Sequence, residues 1–197
     1  MPRIVDHDQK KIEIVQQAIK VFARRGYNQT KLAEIAAGCN MGRTNIYRYF
    51  SNKKEIFNYV IDKIFTDLRG ELEKIADKPG EKGLERIKRI IERLAREFHS
   101  QRNLMIIMVE LRILLQRGET DLGDLVREYV EDLRGVFACL LEEGMEKGEI
   151  KQINAEKMAR TLVLMVESLV LHLAFTRNFT IDDHLQNLFF FIDGLQE

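Results

Sequence analysis

The chain has 197 residues, of which 45% are hydrophobic and 31% charged, with 12 glycines, 2 prolines and 2 cysteines. It is too apolar to be disordered and too poor in breakers to be collagen-like or low in complexity, so the expectation is one large, helix-rich domain or two small ones. The net charge of zero conceals a split: residues 1–54 carry 11 Lys and Arg against 4 Asp and Glu, and residues 55–197 carry 20 against 27, so a cationic first quarter that suits a polyanion is joined to an anionic remainder.

Apolar residues recur at three- and four-residue spacing along most of the chain. A first helix is predicted over Lys10–Arg25, with Ile12, Val15, Ala18, Ile19, Phe22 and Ala23 as its stripe, Asp8 as N-cap and Gly26 as stop. A second spans Lys31–Cys39 and buries Leu32, Ile35, Ala36 and Cys39; a third, Arg43–Phe50, has Ile46 and Phe50 as its apolar pair. Lys53–Ala76 forms a long amphipathic helix that ends before the breaker Lys78-Pro79-Gly80. Five more follow: Leu84–Ser100, Asn103–Gln116, Leu122–Lys147, Asn154–Thr176 and Asp182–Leu195. No segment alternates with period two for long, so the fold class is all-α with about nine helices and short links.

The second and third helices, joined by Asn40-Met41-Gly42, make a helix-turn-helix at about residues 31–50. Helix two supplies small residues for a close crossing (Ala33, Ala36, Ala37, Gly38), and Asn40 suits a turn position with positive φ. The third helix is polar outside and pinned inside. Arg43, Thr44, Asn45 and Arg48 can address base edges, Arg at guanine and Asn at adenine. Thr30, Lys31, Tyr47, Tyr49 and Lys53 are candidate phosphate donors; Tyr49 suits packing equally well.

The set Gly26-Tyr27-Asn28-Gln29-Thr30, Ile35-Ala36, Met41 to Phe50 and Lys53-Lys54-Glu55-Ile56-Phe57 resembles the TetR (tetracycline repressor-like) family over about fifty residues. Asn40 stands where that family often has Gly, and Lys31 where it often has Thr or Ser. The resemblance implies a homodimeric transcriptional regulator, most often a repressor. Its three N-terminal helices, here 1–52, bind double-stranded operator DNA. A helical body, here 53–197, binds a small molecule and dimerises.

In the body, Leu104 to Leu111 is apolar almost all round and should be central. With Met158 and Met165 its methionines suit either an adaptable ligand cavity or ordinary core filling. For a hydrophobic or amphipathic effector the expected lining is Phe98, His99, Met105, Met108, Glu110, Met165 and His172. Leu162, Met165, Leu169, Phe189 and Ile192 lie in the last two helices, which are apolar on more than one side, and are the expected dimer seam.

Only two cysteines, Cys39 and Cys139, are present, and both read as small buried residues; they exclude a disulfide framework and a four-thiolate metal centre. No HExxH, P-loop, GxGxxG or GxSxG string occurs, so no enzyme activity, cofactor or metal is expected. The N-terminus lacks a secretory apolar run, and Leu162–Phe175, broken by Glu167 and His172, is too short to cross a bilayer; a cytoplasmic protein with no membrane partner is expected. The competing class is a helical adaptor whose basic head binds another protein.

Overall fold

Each predicted stripe becomes a helix in the computed structural model, which describes residues 7–175 and 180–197. Among these residues the α-helices are α1 (His7–Arg25), α2 (Leu32–Gly38), α3 (Lys53–Ala76), α4 (Gly83–Ser100), α5 (Arg102–Gln116), α6 (Gly123–Glu146), α7 (Ala155–Phe175) and α8 (Ile181–Asp193), with one 3-10 helix at Asn45–Arg48. No strand forms among them; a single bridge pairs Ile150 with Gln196. The expected end of the penultimate helix at Thr176 falls outside the described residues. Asp8, expected as an N-cap, lies inside the first turn of α1.

The residues pack as two units. The first comprises residues up to Phe65 together with Ile106–Leu122. Its core is Ile14, Ala18, Phe22, Ile35, Ala36, Ile46, Phe50, Ile56, Phe57, Val60 and Ile61, all at most 1% exposed. Phe22 meets Phe57 edge to face at 5.3 Å between centroids, and Tyr27 meets Phe57 at 5.0 Å. The unit extends beyond the expected boundary at residue 52 because the α3 residues Ile56 to Ile61 complete this core. The buried stripe of α1 is Ile14, Val15, Ala18, Val21 and Phe22, and Ile12 is 43% exposed. The helix is thus rotated from the predicted face; 14, 18, 21 and 22 follow the helical period more closely than a stripe begun at Ile12.

The second unit comprises Thr66–Met105 and Gly123–Glu197. Helix α4 is its hub and contacts α6, α7 and α8. It buries Leu84, Ile87, Ile90, Ile91, Leu94, Ala95 and Phe98, a stripe wide enough to meet three neighbours. Helix α5, by contrast, is not apolar on every side in its surroundings: Ile106 and Ile113, seven residues apart on one face, are 37% and 41% exposed. Cys139 also departs from expectation, being exposed on α6, whereas Cys39 is buried.

Two contacts fix the lower end of this unit. The buried Arg86 donates from Nη1 to the Ala76 carbonyl at 2.6 Å, closing the end of α3, and pairs with Glu143 of α6. That hydrogen bond, with help from Lys147, holds the Glu143 carboxyl below its ordinary pKa. Gly83 opens α4 directly against α6, where a Cβ would overlap the Leu140 carbonyl oxygen. Gly83→Ala is therefore expected to cost about 1–3 kcal/mol through overpacking against backbone. Gly135, exposed in mid-α6 with nothing within 4 Å of a Cβ position, provides the contrast. Gly135→Ala should stabilise by about 0.5–1 kcal/mol through helix propensity. Urea denaturation of the two variants checks the opposite signs.

Candidate nucleic-acid interface

The recognition element is held from inside. Ile46 and Phe50 are 0% and 1% exposed, which fixes the backbone between them and turns the alternate residues outward. Arg43, Thr44, Asn45 and Arg48 are exposed, and Tyr47 is 53% exposed. The segment is shorter and tighter than the predicted helix over 43–50: Asn45–Arg48 is one turn of 3-10 helix, entered by the Asn45 amide donating to the Gly42 carbonyl at 2.9 Å. Burying two apolar residues only four apart leaves length for little more than a single turn before Phe50 ends it.

The turn before it follows the sequence reading. Asn40 adopts φ +53°, the left-handed conformation that Asn tolerates. The Met41 amide returns to the Ala36 carbonyl at 2.9 Å. Gly38 lies so near α1 that a Cβ would meet the Gln17 side chain. The close approach predicted for the small residues of helix two is therefore made, at Gly38, with α1.

Two expected phosphate donors turn inward instead. Thr30 is 2% exposed and its hydroxyl donates to the Gly26 carbonyl at 2.8 Å. Lys53 donates to the carbonyls of Tyr27 (2.8 Å), Asn28 (2.8 Å) and Thr30 (3.3 Å), and its ammonium lies 4.7 Å from the Tyr27 ring centroid. An ammonium has three protons, so its donor capacity is committed to this turn. Burial lowers the Lys53 pKa from its ordinary value. Both residues shape the loop between α1 and α2. The reason is local: carbonyls in a non-helical turn need donors, and Lys53 opens α3 beside them. The start of α3 is fixed by a reciprocal cap, in which the Asn52 side chain accepts the Glu55 amide at 2.9 Å and the Glu55 carboxylate accepts the Ser51 amide at 2.6 Å.

Of the remaining candidates, Lys31 is exposed at the start of α2, where its amide donates to the Glu34 carboxylate at 3.1 Å. Tyr49 is half-buried and stacks on His7, with ring centroids 4.7 Å apart. Lys11 of α1 lies 5.6 Å from the Phe50 ring and 5.5 Å from the Tyr59 ring.

The residues expected to line one ligand pocket are dispersed. Met108 and Glu110 belong to the first unit, and the Glu110 carboxylate accepts the Tyr27 amide at 3.0 Å. In the second unit, Phe98 and Met105 are buried and His99 is exposed. Met165 and His172 line an open groove of about 450 Å³ between α7 and α8 with Leu164, Leu169, His184 and Leu188. The His172 and His184 rings lie 6.0 Å apart. The expected seam is rotated as well. Leu162 and Ile192, 1% and 2% exposed, are consumed by the unit's own core. Met165, Leu169 and Phe189 are half-buried. The apolar surface is carried by Leu164, Leu171, Phe190 and Phe191, at 63%, 52%, 79% and 70% exposure. Sequence periodicity located the apolar helices but could not say which of two apolar faces meets the chain's own core.

Among the described residues no helix is long and apolar enough to cross a membrane, and no group of three or more His, Cys, Asp or Glu could hold a metal ion.

Residues 14–60 match the family model described as bacterial regulatory proteins, tetR family. The chain is 27% identical to the uncharacterized HTH-type transcriptional regulator YhgD of Bacillus subtilis, over 83% of each chain. It is 25% identical to the fatty acid metabolism regulator protein of the same organism, over 78% of this chain and 77% of that one. The fold is shared with the transcriptional regulator FadR from Bacillus subtilis in complex with stearoyl-CoA, with a TM-score of 0.77 and 19% identity, covering 92% of this chain and 96% of that one. The helix-turn-helix that presents Arg43 to Arg48 outward lies inside the segment that matches the tetR-family model, and over most of its length the chain is similar to HTH-type transcriptional regulators.

Proposed function

We propose that the chain is a cytoplasmic, homodimeric repressor that leaves a palindromic operator when a small hydrophobic or amphipathic effector binds its helical body. The observation that carries the DNA-reading part is the outward polar turn over two residues with almost no exposure, Ile46 and Phe50. Arg43, Thr44 and Asn45 sit at the start of the recognition turn, the end that reaches base edges in helix-turn-helix proteins. Tyr47, Arg48 and Lys31 are proposed to hold the phosphates on either side, with Tyr49 contributing through its stack on His7.

The dimer rests on exposed apolar side chains. Phe190 and Phe191 are 79% and 70% exposed, adjacent large apolar side chains of the kind that marks an interaction surface. Leu164 and Leu171 extend that surface along α7. A two-fold axis through this face would set two recognition turns on a palindrome. The effector is proposed to enter the interior of the second unit near Phe98 and Met105, where the unbranched methionine allows the wall to adapt. Stearoyl-CoA, bound in the FadR structure, is the first ligand to try. The adaptor alternative offers no reason for exposed Arg43, Thr44, Asn45 and Arg48 around the anchors Ile46 and Phe50.

Two expected outcomes follow from this reading. On a duplex selected by the chain from random DNA, Arg43→Ala or Asn45→Ala should lose about 1–3 kcal/mol and relax preference at particular base pairs. Equal loss on selected and scrambled duplexes would remove these side chains from base reading. In sedimentation at micromolar concentration the unaltered chain should run as a dimer and Phe190→Glu as a monomer. A chain that is monomeric without substitution would remove the seam.

A further inference from the structure

The ending of α1 is incomplete within its own sequence. The Gly26 amide returns to the Phe22 carbonyl at 2.8 Å, and Gly26 takes φ +75°, the usual glycine ending of a helix. The next amide, Tyr27, would turn back to the helix in a Schellman ending. Here it donates to Glu110 Oε1 at 3.0 Å, 83 residues away in α5. Both Glu110 oxygens lie 3.6 Å from the place a Cβ would take on residue 26, so the carboxylate packs in van der Waals contact over the glycine, whose φ of +75° is what selects that residue. The next peptide group is held by Lys53, whose ammonium donates to the Tyr27 carbonyl at 2.8 Å.

Glu110 does not act alone. The segment Ile106–Leu122 sends two more acidic side chains to the same unit. Glu119 accepts from the Asn28 amide group at 3.4 Å. Asp121 accepts from Asn58 at 3.0 Å and pairs with Lys54 at 3.2 Å. Of the three, only Glu110 reaches a backbone amide of the turn that carries the chain from α1 into the helix-turn-helix.

We propose that Glu110 is a positioning residue for DNA binding: its carboxylate fixes the Tyr27 peptide and thereby the angle at which α1 delivers the recognition turn. This rests on the DNA-reading role of that turn. It has a consequence that runs against simple electrostatics. Removing an acidic side chain from a DNA-binding unit should strengthen its attraction to phosphate. If Glu110 holds the turn by accepting a hydrogen bond, its removal weakens binding instead, because a smaller fraction of molecules presents the competent surface.

The test compares Glu110→Gln, which loses the charge but keeps an oxygen acceptor, with Glu110→Ala, which loses both. The full-length chain is titrated with a duplex it has selected from random DNA, across a salt series, and helix content and thermal midpoint are measured alongside. Glu110→Ala is expected to bind about tenfold more weakly, the scale of a lost hydrogen bond to a charged group. Its salt slope should be unchanged because no phosphate contact is lost. Glu110→Gln should bind within about twofold of the unaltered chain, the rescue expected where the acceptor rather than the charge matters. Equal tightening of both variants would overturn the proposal in favour of plain charge repulsion. An affinity loss in Glu110→Ala that vanishes when measured well below its thermal midpoint would reduce the residue to a stability role. Failure of the unaltered chain to select any duplex would sink the DNA reading itself, a result independent of the order of the variants.

Discussion

The carbonyls of Gly26, Tyr27, Asn28 and Thr30 and the amide of Tyr27 find no partner in a helical ladder, and the first unit is organised around satisfying them. Lys53 donates to three carbonyls of this turn, Thr30 donates to a fourth, and Glu110 accepts an amide. A buried polar group left without a partner costs as much as a hydrogen bond made elsewhere contributes. The positions of α1, α2, α3 and α5 in this unit are therefore tied to one short loop. Ile46 and Phe50 then place the recognition turn on the frame so defined.

The charge asymmetry of the sequence acquires a structural meaning in the same unit. The cationic first 54 residues do not all face a polyanion. Lys53 is spent on backbone carbonyls, Lys54 on Asp121, and Arg25 on Glu34 at 3.0 Å. What remains outward includes Arg43, Arg48 and Lys31 at the helix-turn-helix, with Lys20 and Arg24 on α1. Counting charges pointed to the partner's class, and subtracting internal pairs narrows the cations that are free to meet it.

Much of the fold was legible because helices advertise themselves by period. Each of the nine expected helical segments has its counterpart, and the turn at Asn40 was readable because asparagine tolerates its left-handed conformation. What the sequence hid was partnership over long separations. Thr30 and Lys53 have the residue types of phosphate donors, yet nearby carbonyls claim them first. Glu110 looked like a ligand carboxylate in an apolar helix because nothing local shows that it meets residue 27. Leu162 and Ile192 were mistaken for surface because helices apolar on two sides do not reveal which side is spent inside the unit. A signal for Lys53 did exist in the capping residues Asn52 and Glu55, which set it in the first turn of α3 beside the open carbonyls.

Two copies of the Arg43–Arg48 turn are proposed to read one operator under control of a ligand. Hydroxyl-radical footprinting of the full-length chain on a duplex it has selected tests this most directly. Two symmetry-related protected patches are expected on one face of the DNA, about 34–36 Å or a multiple apart, and they should be lost when an effector fills the helical body. A single unsymmetrical patch, or no protection at a concentration where the chain is folded, would contradict that proposal.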